Sequence, residues 1–399
     1  MQILQLCKKF PFPLKDGESI AVTYLAQGLH QLGHEITLLA MNTTKHPVAV
    51  NRVKHELSHY RSVHHTTLDN EVKPLHAFLN LFSSDSYNIS RFDNEAFRQK
   101  LIALLKKNNF DIVQLESLYL APYIDIIRAY SNARIVLRAH NVEHEIWERM
   151  SINEPIALRR WYLEYSARKL KKYEVDQLTE IDQLLAMSSL DEEKFKVLGY
   201  KGSSLSVPIG LNLDEFDYRE VNAEQPLSVS FIGSLDWMPN IEGLNWFLEA
   251  IWPHLSAIFP KLKLHVAGRN CPEWIRQISN QNVVIEGEVK DSRQFLLQHP
   301  ITVVPLLSGS GMRVKILEAM ALGRVVITTT LGLEGIHARD KQEVLIADRT
   351  EDFIRKFRFC HHHHRHLPTI SFNARKLIEQ NFDHLEIARN VEQSYRMHV

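Results

Sequence analysis

The chain has 399 residues, 45% of them hydrophobic, with Lys+Arg and Asp+Glu each numbering 47. Zero formal net charge supplies no global field for a nucleic acid or another polyanion, so no nucleic-acid partner is expected. Cys7, Cys271 and Cys360 are too widely spaced for a disulfide framework or a zinc site and fit a reducing compartment. The length exceeds the ~250–300 residues at which a single core stops growing, which implies more than one domain.

Residues 2–7 read as an apolar strand, too short for a signal peptide. No stretch approaches the ~18 apolar residues of a membrane span, so the expectation is a cytoplasmic protein, at most resting on the inner face of the membrane. A loop at 10–17 leads into a helix carrying Ile20, Tyr24, Leu25, Leu29 and Leu32 at helical spacing and ended by Gly33. Strand 35–40 follows, and this strand–helix–strand unit points to a parallel sheet. Residues 43–95 lack a regular pattern. Further elements are a helix at 96–107, strands at 111–115 and 134–138, a polar helical stretch at 155–178, a strand at 184–188, a helix at 191–198 and a strand running into a turn at 206–212.

Residues 217–225 are charged and without apolar periodicity, and read as an interdomain linker. The alternation then restarts. Strands are expected at 228–232, 263–267, 283–285, 301–305 and 325–329. The intervening helices are expected at 241–258, 272–279, 292–298 and 314–322. Residues 372–399 form a helical pair broken at 381–383. Two α/β sandwiches in tandem result.

The most informative stretch is Val304-Pro-Leu-Leu-Ser-Gly-Ser310-Gly311-Met312-Arg313-Val-Lys315-Ile-Leu-Glu318. A buried strand feeds a Gly/Ser loop that opens into a helix, whose first amides are unpaired and carry partial positive charge. Arg313 and Lys315 sit where the helix dipole disfavours cations, a conflict resolved if a diphosphate binds there. Glu318, a turn further on, is placed to accept hydrogen bonds from a ribose diol. The bland alternative is a glycine turn with solvated charges.

With this stretch, Phe231-Ile-Gly233-Ser234, Val266-Ala-Gly-Arg269, Ile285-Glu-Gly287-Glu-Val289 and Thr328-Thr-Thr-Leu-Gly resemble the donor domain of family-four retaining glycosyltransferases of GT-B fold. In the first half Gly17, Gly33-His-Glu, Arg138-Ala-His140-Asn141-Val-Glu143 and Pro208-Ile-Gly-Leu-Asn extend the resemblance over nearly the whole chain. It implies two Rossmann-like domains facing across a cleft. Residues 1–216 would bind the acceptor, and residues 226–375 the nucleotide-sugar donor. Residues 376–399 would form a helix returning to the first domain.

The resemblance also implies site roles. Glu318 would bind the ribose, and the amides near Gly311, Met312 and Arg313 the diphosphate. The Glu286–Val289 turn, with Gly287 and Val289, would edge the base, and Gly17 would approach the donor phosphate. His140 would lie near the transferred sugar, with Arg138, Asn141 and Glu143 on the acceptor side. Gly233, Ser234 and Arg269 complete the donor set.

Two departures stand out. The first glutamate of the family's Glu-x7-Glu motif falls on Ser310, and the usual cation after the Phe231-Ile-Gly strand is Ser234. Arg313 and Lys315 are therefore expected to supply the positive charge and, with His140, to form the catalytic set. No Asp-x-Asp cluster occurs in a suitable loop, so no metal and no cofactor are expected. Glu143 has two readings, orienting His140 or capping the next helix.

The expected activity is retaining transfer of a sugar from a UDP- or GDP-sugar to a glycan or lipid-linked acceptor, in cell-envelope polysaccharide or lipopolysaccharide synthesis. The other readings are an epimerase or phosphorylase of the same fold, and a non-catalytic sugar-nucleotide binding protein. A dinucleotide oxidoreductase is disfavoured because the first strand lacks G-x-G-x-x-G. The basic, aromatic stretch at 159–173 either rests on anionic lipid or is a solvated helix packed by its apolar side. The histidines at 361–364 and 366 read as a solvated loop. Oligomeric state is not legible.

Overall fold

A computed structural model describes every residue except 15, 72–79, 81–85, 153, 223, 225, 279–281, 310 and 398–399. It divides into two compact units, Met1–Gly210 with His384–Val399, and Leu211–Asp383.

The first unit is built on seven strands: β1 Gln2–Cys7, β2 Glu35–Thr43, β3 Ser62–Leu68, β4 Ile112–Leu115, β5 Arg134–Ala139, β6 Gln183–Ala186 and β7 Ser203–Ser206. They lie in the order β3-β2-β1-β4-β5-β6-β7, and each neighbouring pair is parallel. Parallel strands are buried on both faces, which explains why β1, β4, β5 and β6 are near-continuous apolar runs. The helices of seven or more residues are α1 Gly17–Gln31, α2 Glu95–Lys107, α3 Ile124–Tyr130, α4 Glu143–Ile152, α5 Ala157–Gln177 and α6 Ser189–Val197. Strand β3 falls in the stretch without a regular pattern. Its Ser-Val-His-His-Thr-Thr-Leu sequence is too polar for a central strand but acceptable at the sheet edge it occupies.

The second unit contains β8 Ser228–Ile232, β9 Lys263–Ala267, β10 Val283–Gly287, β11 Ile301–Val304, β12 Val325–Thr328 and β13 Leu345–Ile346, ordered β10-β9-β8-β11-β12-β13. All its pairings are parallel. Its helices of seven or more residues are α7 Met238–Trp246, α8 Trp252–Ile258, α9 Val314–Ala321, α10 Thr350–His362 and α11 Leu367–Asn381, and shorter ones at Glu273–Arg276 and Ser292–Leu297 fall where helices are expected at 272–279 and 292–298. Phe247, Trp252, Phe353 and Phe357 fill one side of its core, with the Phe247 and Phe353 rings edge-to-face at 5.7 Å. The single helix expected at 241–258 is interrupted by a π turn at Phe247–Ile251, just before Pro253, which lacks the N–H to continue the ladder.

The unit boundaries differ from the sequence expectation. Residues 217–225 are not a free linker: Val221 is in the second unit's core, and Arg324 donates to the Arg219 carbonyl. Arg375 Nη1 donates to the Phe216 carbonyl at 2.8 Å, which also keeps 216 in this unit. At the other end α11 runs to Asn381, so the returning segment is only α12, His384–Arg396. It packs on α1 through Ile387, Ala388, Val391 and Tyr395. Gly28 permits this approach, because a Cβ there would lie 2.7 Å from the Ala388 Cβ and 2.8 Å from the His384 carbonyl oxygen. The Tyr395 hydroxyl reaches the Gln114 side chain beneath the sheet.

Both sheets reverse strand order once, between β1 and β4 and between β8 and β11. Ligands of open α/β sheets bind outside the carboxyl ends of strands at such a switch point. The residues singled out from sequence lie at those ends in each unit.

Candidate active site

In the second unit the switch point is framed by the loops after β8 and β11. Gly309 and Gly311 have φ of +102° and +83°, the left-handed region that turns the chain from strand to helix. Arg313 is the residue before α9, whose N-terminus has no side-chain cap, leaving its first amides open. Ser310 lies outside the described residues, while Met312 is half-buried in the same loop. The Gly311 N–H donates to a Glu334 carboxylate oxygen at 3.1 Å, so this amide is aimed at an anionic oxygen.

Lys315 donates to Asn240 Oδ1 at 2.6 Å, and Asn240 Nδ2 donates to the Ser234 carbonyl at 2.8 Å. One amide side chain thus ties the β11 loop to the β8 loop. Lys315 also lies over the Phe231 ring, 5.2 Å from its centre, and Arg313 over that of Trp237 at 5.8 Å. Burial and the neighbouring Arg313 push the Lys315 ammonium down to about 7. Burial raises Glu318 to about 7, against a smaller opposing effect of Arg293. Arg269, after β9, donates from Nε to Ser234 Oγ at 2.9 Å. The Gly287 carbonyl accepts from Gly268 N–H at 2.7 Å, and half-buried Val289 follows it. Asn240 therefore joins Lys315 to Ser234, which Arg269 also reaches, while Gly311 and Arg313 lie in the loop that leads to Lys315.

In the first unit the central residue is Glu116, at the carboxyl end of β4, with no exposed surface. Its carboxylate meets His140 Nε2 at 3.1 Å and Arg138 Nη1 at 3.7 Å, and accepts from Gln5 and Gln114. Burial works against ionisation, but Arg138, His140 and Gln5 outweigh it and hold the carboxyl below its usual range. Arg138 also donates to the Ala21 carbonyl at 2.9 Å, binding β5 to α1. Asn141 is half-buried beside His140.

Neither reading of Glu143 holds. The cap of α4 is Glu174 from α5, accepting from the Glu143 and His144 amides at 3.0 and 3.3 Å and meeting His144 Nδ1 at 2.5 Å. Glu143 instead accepts from the Tyr119 hydroxyl at 3.1 Å, and burial raises its carboxyl to about 7. The physical reason is reach: α5 packs alongside α4, so a carboxylate from outside the helix arrives at its first amides.

Gly17 is the first residue of α1, whose cap Asp16 accepts from the Ser19 amide at 3.0 Å and from Lys9 at 2.7 Å. Lys8 pairs with Glu18 at 3.4 Å and lies 4.5 Å over the Tyr119 ring. Burial disfavours the Glu18 charge, yet Lys8, Lys9 and His140 hold that carboxyl below its ordinary value.

Sequence reasoning passed over Glu116, Glu334 and the Lys8–Glu18 pair, and read Asn240 as either bordering the donor pocket or capping its helix. Only Glu116 carried a signal: a lone acid directly after the buried run Ile112–Leu115.

The fold, two parallel-sheet Rossmann-like units of seven and six strands, is that of GT-B structures. Residues 226–362 match the family model described as glycosyl transferases group 1. The chain is 23% identical over 304 residues to an uncharacterized 44.6 kDa protein in the cps region of Klebsiella pneumoniae, 74% of this chain and 76% of that one. Among solved structures, HepE of Anabaena in complex with UDP-glucose aligns over 100% of both chains with a TM-score of 0.67 and 12% identity. Sucrose-phosphate synthase of Thermosynechococcus elongatus aligns over 100% of this chain and 99% of its own, with a TM-score of 0.70 and 16% identity.

Proposed function

We propose that the protein is a retaining, metal-independent glycosyltransferase moving a sugar from a nucleoside-diphosphate sugar to a glycan or lipid-linked acceptor in surface-polysaccharide synthesis. The observation that carries this reading is the coincidence of the group 1 match at 226–362 with the β8–β11 switch point, where Lys315 and Arg313 flank an uncapped helix N-terminus. A departing diphosphate needs its charge met, and preorganised amides with two cations do so without a metal. Glu318 takes the ribose hydroxyls. Glu334, whose carboxylate already lies beside Gly311, supplies the acid that Ser310 lacks.

In the first unit His140, whose Nε2 is held by the buried Glu116, hydrogen-bonds the reacting sugar through its other ring nitrogen and is not a nucleophile. The polysaccharide setting draws on the cps-region relative, and the nucleotide class on the UDP-glucose complex of HepE.

Calorimetry with UDP, GDP, ADP and CDP tests the donor site. The Arg313→Ala/Lys315→Ala double variant should bind the preferred nucleotide at least about 100-fold more weakly, the loss of two charge-assisted contacts. Unchanged affinity refutes the assignment, as does a strict Mg or Mn requirement for turnover. Nucleotide binding without turnover on any acceptor would favour the non-catalytic alternative.

A further inference from the structure

Away from the donor and His140 sites, one surface among the described residues has an unusual composition. Where α4 ends and α5 begins, Met150, Ile152, Ile156, Leu158 and Trp161 are 49, 76, 48, 74 and 49% exposed. Residues 155–161, Pro-Ile-Ala-Leu-Arg-Arg-Trp, are exposed without interruption. Scattered apolar side chains on a surface need no explanation, but five large ones at one hairpin tip do.

The charge around the tip is one-sided. Arg159 and Arg160 sit within it, and Arg168, Lys171 and Lys172 follow on the exposed side of α5, against Glu148, Glu154 and Glu164. The arrangement along the axis is informative. The large exposed apolar groups are confined to the hairpin and first turns of α5, and the later cations stand ~10–20 Å along the axis at 1.5 Å per residue. A helix lying flat on lipid would instead carry an apolar stripe along its whole length. The inner positions Ala167 and Leu170 are buried, so α5 has no second apolar face to offer.

We propose that this hairpin is a membrane anchor that enters an anionic bilayer tip first. Ile152, Ile156 and Leu158 reach the acyl boundary, Trp161 lies at the headgroup level, and Arg159 and Arg160 meet lipid phosphates. Arg168, Lys171 and Lys172 remain in water within the reach of the surface potential. The Trp161 and Tyr165 rings stack at 5.8 Å at the base of the tip, and below it α4 and α5 pack together, with Glu174 of α5 capping the far end of α4. No helix among the described residues is long and apolar enough to cross a membrane, so the anchor is peripheral and reversible.

The experiment is sedimentation of the full chain with phosphatidylglycerol-rich vesicles and with pure phosphatidylcholine vesicles. Binding to the anionic vesicles should be strong at low salt and fall as salt rises. Ile152→Ser/Leu158→Ser should weaken it about tenfold for each side chain replaced. Arg159→Gln/Arg160→Gln should weaken it about fivefold for each charge and flatten the salt dependence. Nucleotide affinity should be unchanged in both variants, which separates loss of the anchor from misfolding and from failure of the donor assignment. Absence of vesicle binding by the unaltered chain, or binding unaffected by both variants, overturns the proposal. So does a concentration-dependent dimer in sedimentation velocity that Ile152→Ser/Leu158→Ser abolishes, because the tip is then covered by a second copy.

Discussion

At the residue scale, two groups at the donor loop sit near neutrality for opposite reasons. Lys315 is pushed down to about 7 by burial and Arg313, and Glu318 up to about 7 by burial. Above pH 7 free Lys315 loses its proton, and a bound diphosphate restores it. Binding then takes up a proton, and affinity falls toward about tenfold per pH unit. Below pH 7 Glu318 is protonated and loses its value as an acceptor for ribose hydroxyls, so affinity falls on that side as well. Nucleotide affinity should therefore peak near pH 7. Lys315→Gln should remove the alkaline limb and Glu318→Gln the acid limb, and a flat calorimetric profile from pH 6 to 8 in the unaltered protein would rule this out. Glu334 makes a separate prediction. If it replaces the missing motif acid, Glu334→Ala should cut kcat by about 100-fold while nucleotide affinity moves little, because the lost contact is to the sugar.

At the element scale, the close contact of α12 with α1 depends on Gly28. In an isolated helix Gly→Ala stabilises by ~1 kcal/mol. Here the new Cβ would meet the His384 carbonyl oxygen and the Ala388 Cβ, neither of which is the end of a flexible side chain. Overpacking of this kind costs ~1–3 kcal/mol, so Gly28→Ala should lower the melting temperature and speed amide exchange in α12. A rise in melting temperature would mean that α12 simply moves away.

The legibility of the elements follows the same physics. Strands buried on both faces, such as β4, β8 and β11, announce themselves as apolar runs, and the Gly/Ser loop after β11 follows from one of them. The edge strand β3 did not, because half its surface can be polar. The π turn in the helix after β8 leaves no periodicity to read. Glu116, Asn240 and Glu334 are set by tertiary pairing across 24, 75 and 23 residues, which no local pattern encodes. The cap of α4 lies beyond local reading for the same reason, since Glu174 arrives from another helix.

At the scale of the whole molecule, the first unit is discontinuous, with α12 supplied after the entire second unit. Ile387, Ala388, Val391 and Tyr395 belong to the first unit's core, and Arg134 of β5 donates to the Tyr395 carbonyl at 3.4 Å. Removing residues 384–397 should expose one side of α1 and destabilise the first unit while leaving the second intact. Hydrogen exchange on the shortened chain should show rapid exchange in α1, β1 and β4 and unchanged protection in β8, β11 and β12. Uniform loss in both units would show instead that the two do not fold separately.

This discontinuity also sets an order of events on the ribosome. Gly210 leaves the exit tunnel some 170–190 residues before α12, a lag of roughly 10–40 s at ordinary elongation rates. During that interval the second unit is itself synthesised, and by its end all of that unit's strands are present and its core can close, whereas the first must wait with the groove on α1 around Gly28 uncovered. The N-terminal half is therefore the later of the two to mature, and the stretch of synthesis between β7 and α12 is when this protein most needs a chaperone.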